Sequence, residues 1–161
     1  PGGPVARKGS ASVPNSAPLP LLKLMPGVAV KLVAADLTSA EAELFRLAHL
    51  EGHVVALDAE WKPYGQDQSR TPVEIVQVAV TSCCLLLDVP SLLRVEGPAL
   101  ASFLLRICSG ECLLLGFGLL GDLERISQTC SEVLHDVALE PQRAHDLQTQ
   151  NGTKTGLREF V

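Results

Sequence analysis

Val54-Val55-Ala56-Leu57-Asp58-Ala59-Glu60-Trp61 combines the apolar run of a buried strand with two carboxylates two positions apart. Successive side chains of a strand alternate faces, so Asp58 and Glu60 project from one side, roughly 6.6 Å apart along the backbone. Two carboxylates on one face of a buried strand repel each other and are costly to desolvate. They persist at a wet edge or around a shared cation. Oxygen ligands of this kind suit Mg²⁺ or Mn²⁺ rather than zinc. The simpler alternative is an acidic strand end that marks the exit into a solvated turn.

Working outward, the spacing predicts strands at Val28–Val33, His53–Ala59, Val73–Val80 and Cys84–Val89, and a short buried run at Cys112–Phe117. The middle three read as an antiparallel meander, closed first by a loop with Pro63, Gly65 and Pro72 and then by a tight hairpin. A helix is expected over Ser39–Leu50, with Thr38 and Glu41 as a capping box and Gly52 as its stop. Pro98–Ser109 and Leu119–Thr129 carry apolar residues at helical spacing, and Gly110 ends the first of them. The helix between the meander and Cys112–Phe117 implies a parallel pairing in the same sheet. Beyond Ser131 the pattern weakens to a strand at Val133–Leu139 and a helix start at Gly156–Val161. The sum is α/β, a mixed sheet flanked by helices.

A second acidic feature follows the Cys112–Phe117 strand. Leu113-Leu114-Leu115-Gly116-Phe117-Gly118-Leu119-Leu120-Gly121-Asp122-Leu123 runs through glycines into a helix that bears Asp122 in its first turn. An aspartate there is also explained as a stabiliser of its own helix dipole. If this strand neighbours the Asp58 strand, however, one sheet edge collects three acids.

Together, Val55-Ala56-Leu57-Asp58-Ala59-Glu60-Trp61, Ile75-Val76-Gln77-Val78-Ala79, Leu85–Asp88 and Leu115-Gly116-Phe117 with Asp122-Leu123 resemble the DEDD-type 3′–5′ exonucleases of the ribonuclease-H-like superfamily. Ribonuclease D and Werner-type exonucleases belong to that group, and the Asp-Ala-Glu-Trp and Gln-Val-Ala-Val forms are most similar to its mut-seven type. The resemblance spans roughly Val28–Val161. It implies a ribonuclease-H-like sheet, three antiparallel strands and then parallel ones, and a two-ion Mg²⁺ or Mn²⁺ site. Asp58 would bridge both ions, Glu60 would hold the first and orient the attacking water, and Asp122 would support the second. The implied reaction hydrolyses the terminal phosphodiester at the 3′ end of single-stranded RNA or DNA and releases nucleoside monophosphates.

The chain also departs from that pattern. The family's third motif is a tyrosine followed four residues later by aspartate, whereas here the only tyrosine is Tyr64, with Gln68 four residues on. The chain stops at Val161, so the domain is expected to be incomplete at its C-terminus and to have little or no activity as this fragment. A noncatalytic ribonuclease-H-like module that binds nucleic acid or a protein partner is the alternative. A flavodoxin-like receiver with Asp58 as phosphoacceptor is set aside, because no acidic pair ends the first strand and no lysine ends a late one.

Composition limits the rest. The chain has 161 residues, 47% of them hydrophobic, and a net charge of −5, which excludes a disordered chain and a broad basic groove. Residues 1–26 read as a Pro/Gly/Ser-rich disordered leader or linker and residues 27–161 as the exonuclease-like domain. Pro1 in place of Met suggests a piece of something longer. No apolar stretch reaches the ~20 residues a bilayer needs, and Pro18, Pro20, Lys23 and Pro26 break the only signal-like run, so the expectation is an intracellular protein, cytoplasmic or nuclear, not a secreted one. Five cysteines without CxxC spacing read as reduced thiols. Trp61, Phe117 and Gly118 are candidate nucleic-acid contacts, with packing the preferred reading for Trp61 and core packing or turn geometry an equal alternative for the other two. Gln77 is expected as a hydrogen-bonded core residue, Lys62 and Arg70 as loop residues that could meet phosphate, and the four histidines as surface or capping groups.

Overall fold

A computed structural model of the protein describes residues 27–62 and 71–148. The leader, Tyr64, Gly65, Arg70 and the helix start expected at Gly156–Val161 lie outside those residues. Within them the strands are β1 (Ala29–Val33), β2 (Val54–Trp61), β3 (Val73–Ala79), β4 (Cys83–Asp88), β5 (Leu113–Gly116) and β6 (Ala144–Asp146). The helices are α1 (Leu37–Leu50), α2 (Val89–Cys108), α3 (Leu119–Thr129) and the one-turn α4 (Ser131–Leu134).

The strands form one sheet in the order β1-β4-β3-β2-β5-β6. The β2-β3-β4 meander is antiparallel, and β5 joins β2 in parallel, as the spacing predicts. The added strands β1 and β6 also pair in parallel, with β4 and β5 respectively. This is the mixed sheet of a ribonuclease-H-like fold.

The crossovers β1-α1-β2, β4-α2-β5 and β5-α3-α4-β6 all step across the sheet in the same direction. Right-handed connection then puts all these helices on one face. Burial agrees: Val55, Leu57 and Ala59 of β2, Val76 and Val78 of β3, and Leu85 and Leu87 of β4 form one core with the helices. Phe45 of α1 and Phe103 of α2 meet edge to face within it, centroids 6.2 Å apart. On the opposite face Ala56, Asp58 and Glu60 are exposed, and Ile75, Gln77, Ala79, Cys84, Leu86, Leu113 and Leu115 are half-buried.

Several expectations are corrected. The Thr38–Glu41 capping box does not form, because α1 begins two residues earlier and Asp36 is its N-cap residue. Asp36 adopts a left-handed conformation and makes no side-chain cap; the Glu96 carboxylate, 60 residues on, accepts the N–H groups of Asp36 (2.7 Å) and Leu37 (2.8 Å) instead. The second helix starts at Val89 rather than Pro98. Asp88 caps it by accepting from the Ser91 N–H, and a break at Glu96 lets Pro98 restart it. The strand expected at Val133–Leu139 is the helical turn α4 and its exit, because Leu134 and Leu139 bury without strand neighbours. The β6 strand has only three residues, too few for periodicity to register.

Glu96 therefore joins two helices, and its kinked backbone is what aims the carboxylate at α1. Glu96→Ala is expected to cost about 2 kcal/mol, the range of hydrogen bonds to a charged group. Glu96→Gln, which keeps one acceptor oxygen, should cost about half of that. Urea denaturation of both variants checks this, and equal losses would contradict the capping role.

Among the described residues no helix is long and apolar enough to cross a membrane. The five cysteines are free thiols. Burial pushes the Cys108 and Cys130 thiols up to about 11, which keeps both protonated and unreactive at neutral pH.

Candidate active site

β2 lies between β3 and β5, which fixes its backbone on both sides. Asp58 stands opposite Gln77 of β3 and Glu60 opposite Ile75, so both acids leave β2 on the face away from the described helices. They are part of the strand, not of its exit, since β2 continues to Trp61. Gln77 Nε2 approaches Asp58 Oδ2 at 3.5 Å, so Gln77 touches the acidic group instead of serving as a core residue. A bulge between Glu60 and Trp61 ends the regular register. Trp61 packs against the core, and the Arg125 guanidinium lies 4.6 Å over its ring. Arg125 also donates to the Thr71 carbonyl (3.0 Å), which ties α3 to the start of β3.

The turn from β5 into α3 delivers the third acid. A Cβ at Gly116 would stand 2.8 and 2.9 Å from the Leu119 side chain and 3.0 Å from the Leu57 carbonyl oxygen. Only glycine lets β5 pass that close to β2 and then turn. Gly118, at φ 76°, is the N-cap residue of α3, and its carbonyl accepts the N–H groups of Gly121 (2.9 Å) and Asp122 (3.3 Å).

Asp122 is buried, 8% exposed, and its Oδ2 has no hydrogen-bond partner among the described residues. Burial, then the charges of Asp58, Asp146 and Glu60, pushes its carboxyl up to about 7. The first turn of a helix ordinarily favours an anion, but here desolvation and like charge prevail. That balance argues against Asp122 as a simple stabiliser of its helix.

Asp122 thus lies within electrostatic reach of Asp58 and Glu60. The three are not drawn around a common point: among the described residues no group of three or more His, Cys, Asp or Glu side chains could hold a metal ion as it stands. The donor set nevertheless fits a hard divalent cation, because it offers carboxylate oxygens alone and one of them is buried without a partner. Beside Asp122, a cleft of about 370 Å³ is lined by Trp61, Phe117, Gly118 and Arg125. Both glycine and aromatic candidates therefore sit next to the third acid. Lys62 pairs with Glu74 at 2.7 Å.

Asp146, at the end of β6, is the acidic neighbour that sequence reasoning missed, because β6 is too short to announce itself. A separate hollow of about 460 Å³, lined by Arg46, His49, His53 and Arg106 among others, lies by the starts of β2 and β5. Its arginines are already held, Arg46 by Glu43 and Arg106 by Glu41 and Glu111.

This sheet order has a ribonuclease-H-like architecture, which exonuclease domains of known structure share. Among solved structures the chain is similar to the Nibbler EXO domain of Aedes aegypti, at 21% identity over 80% of this chain and 56% of that one, with a TM-score of 0.59. It is also similar to the EXD2 exonuclease domain (21% identity, 74% and 57% covered, TM-score 0.57) and to Trypanosoma brucei RNase D in complex with GMP (20%, 74% and 33%, 0.56). The chain therefore spans just over half the length of the first two of these structures. At such identity the likeness establishes the fold. No family model and no curated protein matches the sequence.

Proposed function

We propose that this chain is part of a metal-dependent 3′–5′ exonuclease domain that trims single-stranded nucleic acid from its 3′ end. One observation carries the reading: Asp122 Oδ2 is buried with no partner among the described residues, under the like charges of Asp58, Asp146 and Glu60, a combination that a bound cation relieves. In support, the EXD2 exonuclease domain was soaked in Mg and GMP and in Mn and Mg, and the RNase D structure is a GMP complex.

Asp58, Glu60 and Asp122 would hold Mg²⁺ or Mn²⁺. Such ions, when bound, supply a hydroxide nucleophile at neutral pH and stabilise charge on the leaving oxygen. Gln77 restrains the Asp58 carboxylate. Trp61, stiffened by Arg125, and Phe117 form an aromatic wall beside Asp122 for a terminal nucleotide, where stacking is worth about 1–3 kcal/mol per base. A noncatalytic binding module is the second reading, favoured by the absence of a three-carboxylate metal group among the described residues.

The test uses a 5′-labelled single strand and a version of the chain extended past Val161. Mg²⁺-dependent shortening from the 3′ end, abolished by Asp58→Ala, is expected. Binding without shortening selects the noncatalytic reading.

A further inference from the structure

We propose that Asp146 is a positioning residue: its carboxylate clamps Gly118 and, through Gly118, sets where the Asp122 carboxylate stands. β6 pairs with β5 so that Asp146 lies opposite Gly116, next to the turn into α3. Asp146 Oδ1 accepts two backbone N–H groups, from Gly118 (2.9 Å) and from Gln148 (2.9 Å). The same Gly118 accepts the Asp122 N–H through its carbonyl. One residue thus links the two acids: the Gly118 N–H is held by Asp146, and the Gly118 carbonyl, in the next peptide, accepts from the Asp122 backbone.

The neighbourhood allows little slack. Gly118 takes a left-handed conformation, and a Cβ there would lie 3.2 Å from Gln148 Oε1, so Gln148, whose N–H Asp146 also holds, covers the turn. Gly116 on the other side cannot gain a methyl without meeting β2. The arrangement has an electrostatic cost, since Asp146 adds to the negative charge around Asp122. An asparagine at 146 would spare that charge while keeping an acceptor oxygen, so the pair of variants separates clamp from charge.

The importance of Asp122 rests on the proposed nuclease site; the clamp itself does not. Hydrogen exchange on the metal-free chain reads the clamp directly. The Gly118 amide of the wild type should exchange at least about tenfold more slowly than in the unfolded chain, as a bond to a charged acceptor requires. An unprotected Gly118 amide overturns the proposal without any variant. Asp146→Ala should speed exchange at Gly118 and Asp122 about tenfold and leave the β2-β3 amides unchanged, whereas Asp146→Asn should stay within about threefold of the wild type.

Mn²⁺ binding, followed by water-proton relaxation well below the melting temperature, reads the consequence. About tenfold weaker binding is expected for Asp146→Ala, with rescue by Asp146→Asn. Equal loss in both variants means that charge and not the clamp matters, which overturns the proposal. No Mn²⁺ binding by the wild type removes the metal-site reading, and Gly118 exchange still decides the clamp.

Discussion

Asp122→Asn raises the melting temperature of the metal-free chain at neutral pH, by on the order of 5–10 °C, and the gain disappears toward pH 4. The folded-state pKa of Asp122 is raised from 3.8 to about 7. Below pH 4 both folded and unfolded states carry the proton, and the carboxyl exerts no pH-dependent penalty. Between about pH 4 and 7 the unfolded chain ionises while the folded chain holds its proton, so stability falls as pH rises. Above 7 both are ionised and the full penalty persists.

At 1.36 kcal/mol per unit the ceiling is roughly 4 kcal/mol, and local relaxation brings the expected gain to about 2 kcal/mol. An amide at this position carries no charge for the neighbouring carboxylates to repel. Melts of both proteins in EDTA at pH 4, 5.5 and 7.5 check this through their difference, which cancels the titration of all shared groups. A gain of equal size at pH 4 and 7.5 would show that burial of the charge is not the cause. The same substitution should lose the stabilisation that Mn²⁺ confers on the wild type, so the residue trades stability of the empty fold for affinity.

Gly116→Ala should destabilise the chain by about 2–3 kcal/mol, the range of an overpacked core position. The added methyl meets Leu119, itself buried, and the backbone oxygen of Leu57, which cannot rotate away. Relief comes only by moving the start of α3 outward, and Asp122 moves with it. Gly118→Ala provides the comparison. There the obstacle is the flexible end of Gln148, and the cost is that of a left-handed backbone, about 1 kcal/mol. Urea midpoints should therefore rank wild type above Gly118→Ala above Gly116→Ala, and amide shifts around Asp122 should change most in the last. A Gly116→Ala variant as stable as the wild type would mean that the β5-α3 turn is looser than its contacts indicate.

The sequence was legible where one element carries its own signal. The alternation of Val55, Leu57 and Ala59 with Asp58 and Glu60 marks β2 and its two faces without any neighbour. The glycines around Phe117, followed by Leu119, Leu123 and Ile126, mark the turn and α3. What stayed hidden depends on residues far apart in the chain. Thr38 and Glu41 have the local spacing of a cap, but Glu96 arrives from α2 and takes the place. Gln77 looks like a core residue until register sets it against Asp58. Asp146 sits in a three-residue strand and acquires meaning only from the Gly118 N–H that it accepts. The buried state of Asp122 is likewise tertiary, since its position in a first helical turn suggests an exposed and comfortable anion.

The one-sided layering of the helices has a kinetic consequence. Among the described residues Asp58 and Glu60 stand exposed on an open shelf, with the core beneath. Among the described residues nothing covers that shelf, so under the proposed function a strand terminus would reach the two acids from the side. Encounter with such a substrate would then be governed by orientation and by the repulsion between its phosphates and a chain of net charge −5, so multivalent cations in the surroundings would set the pace of arrival.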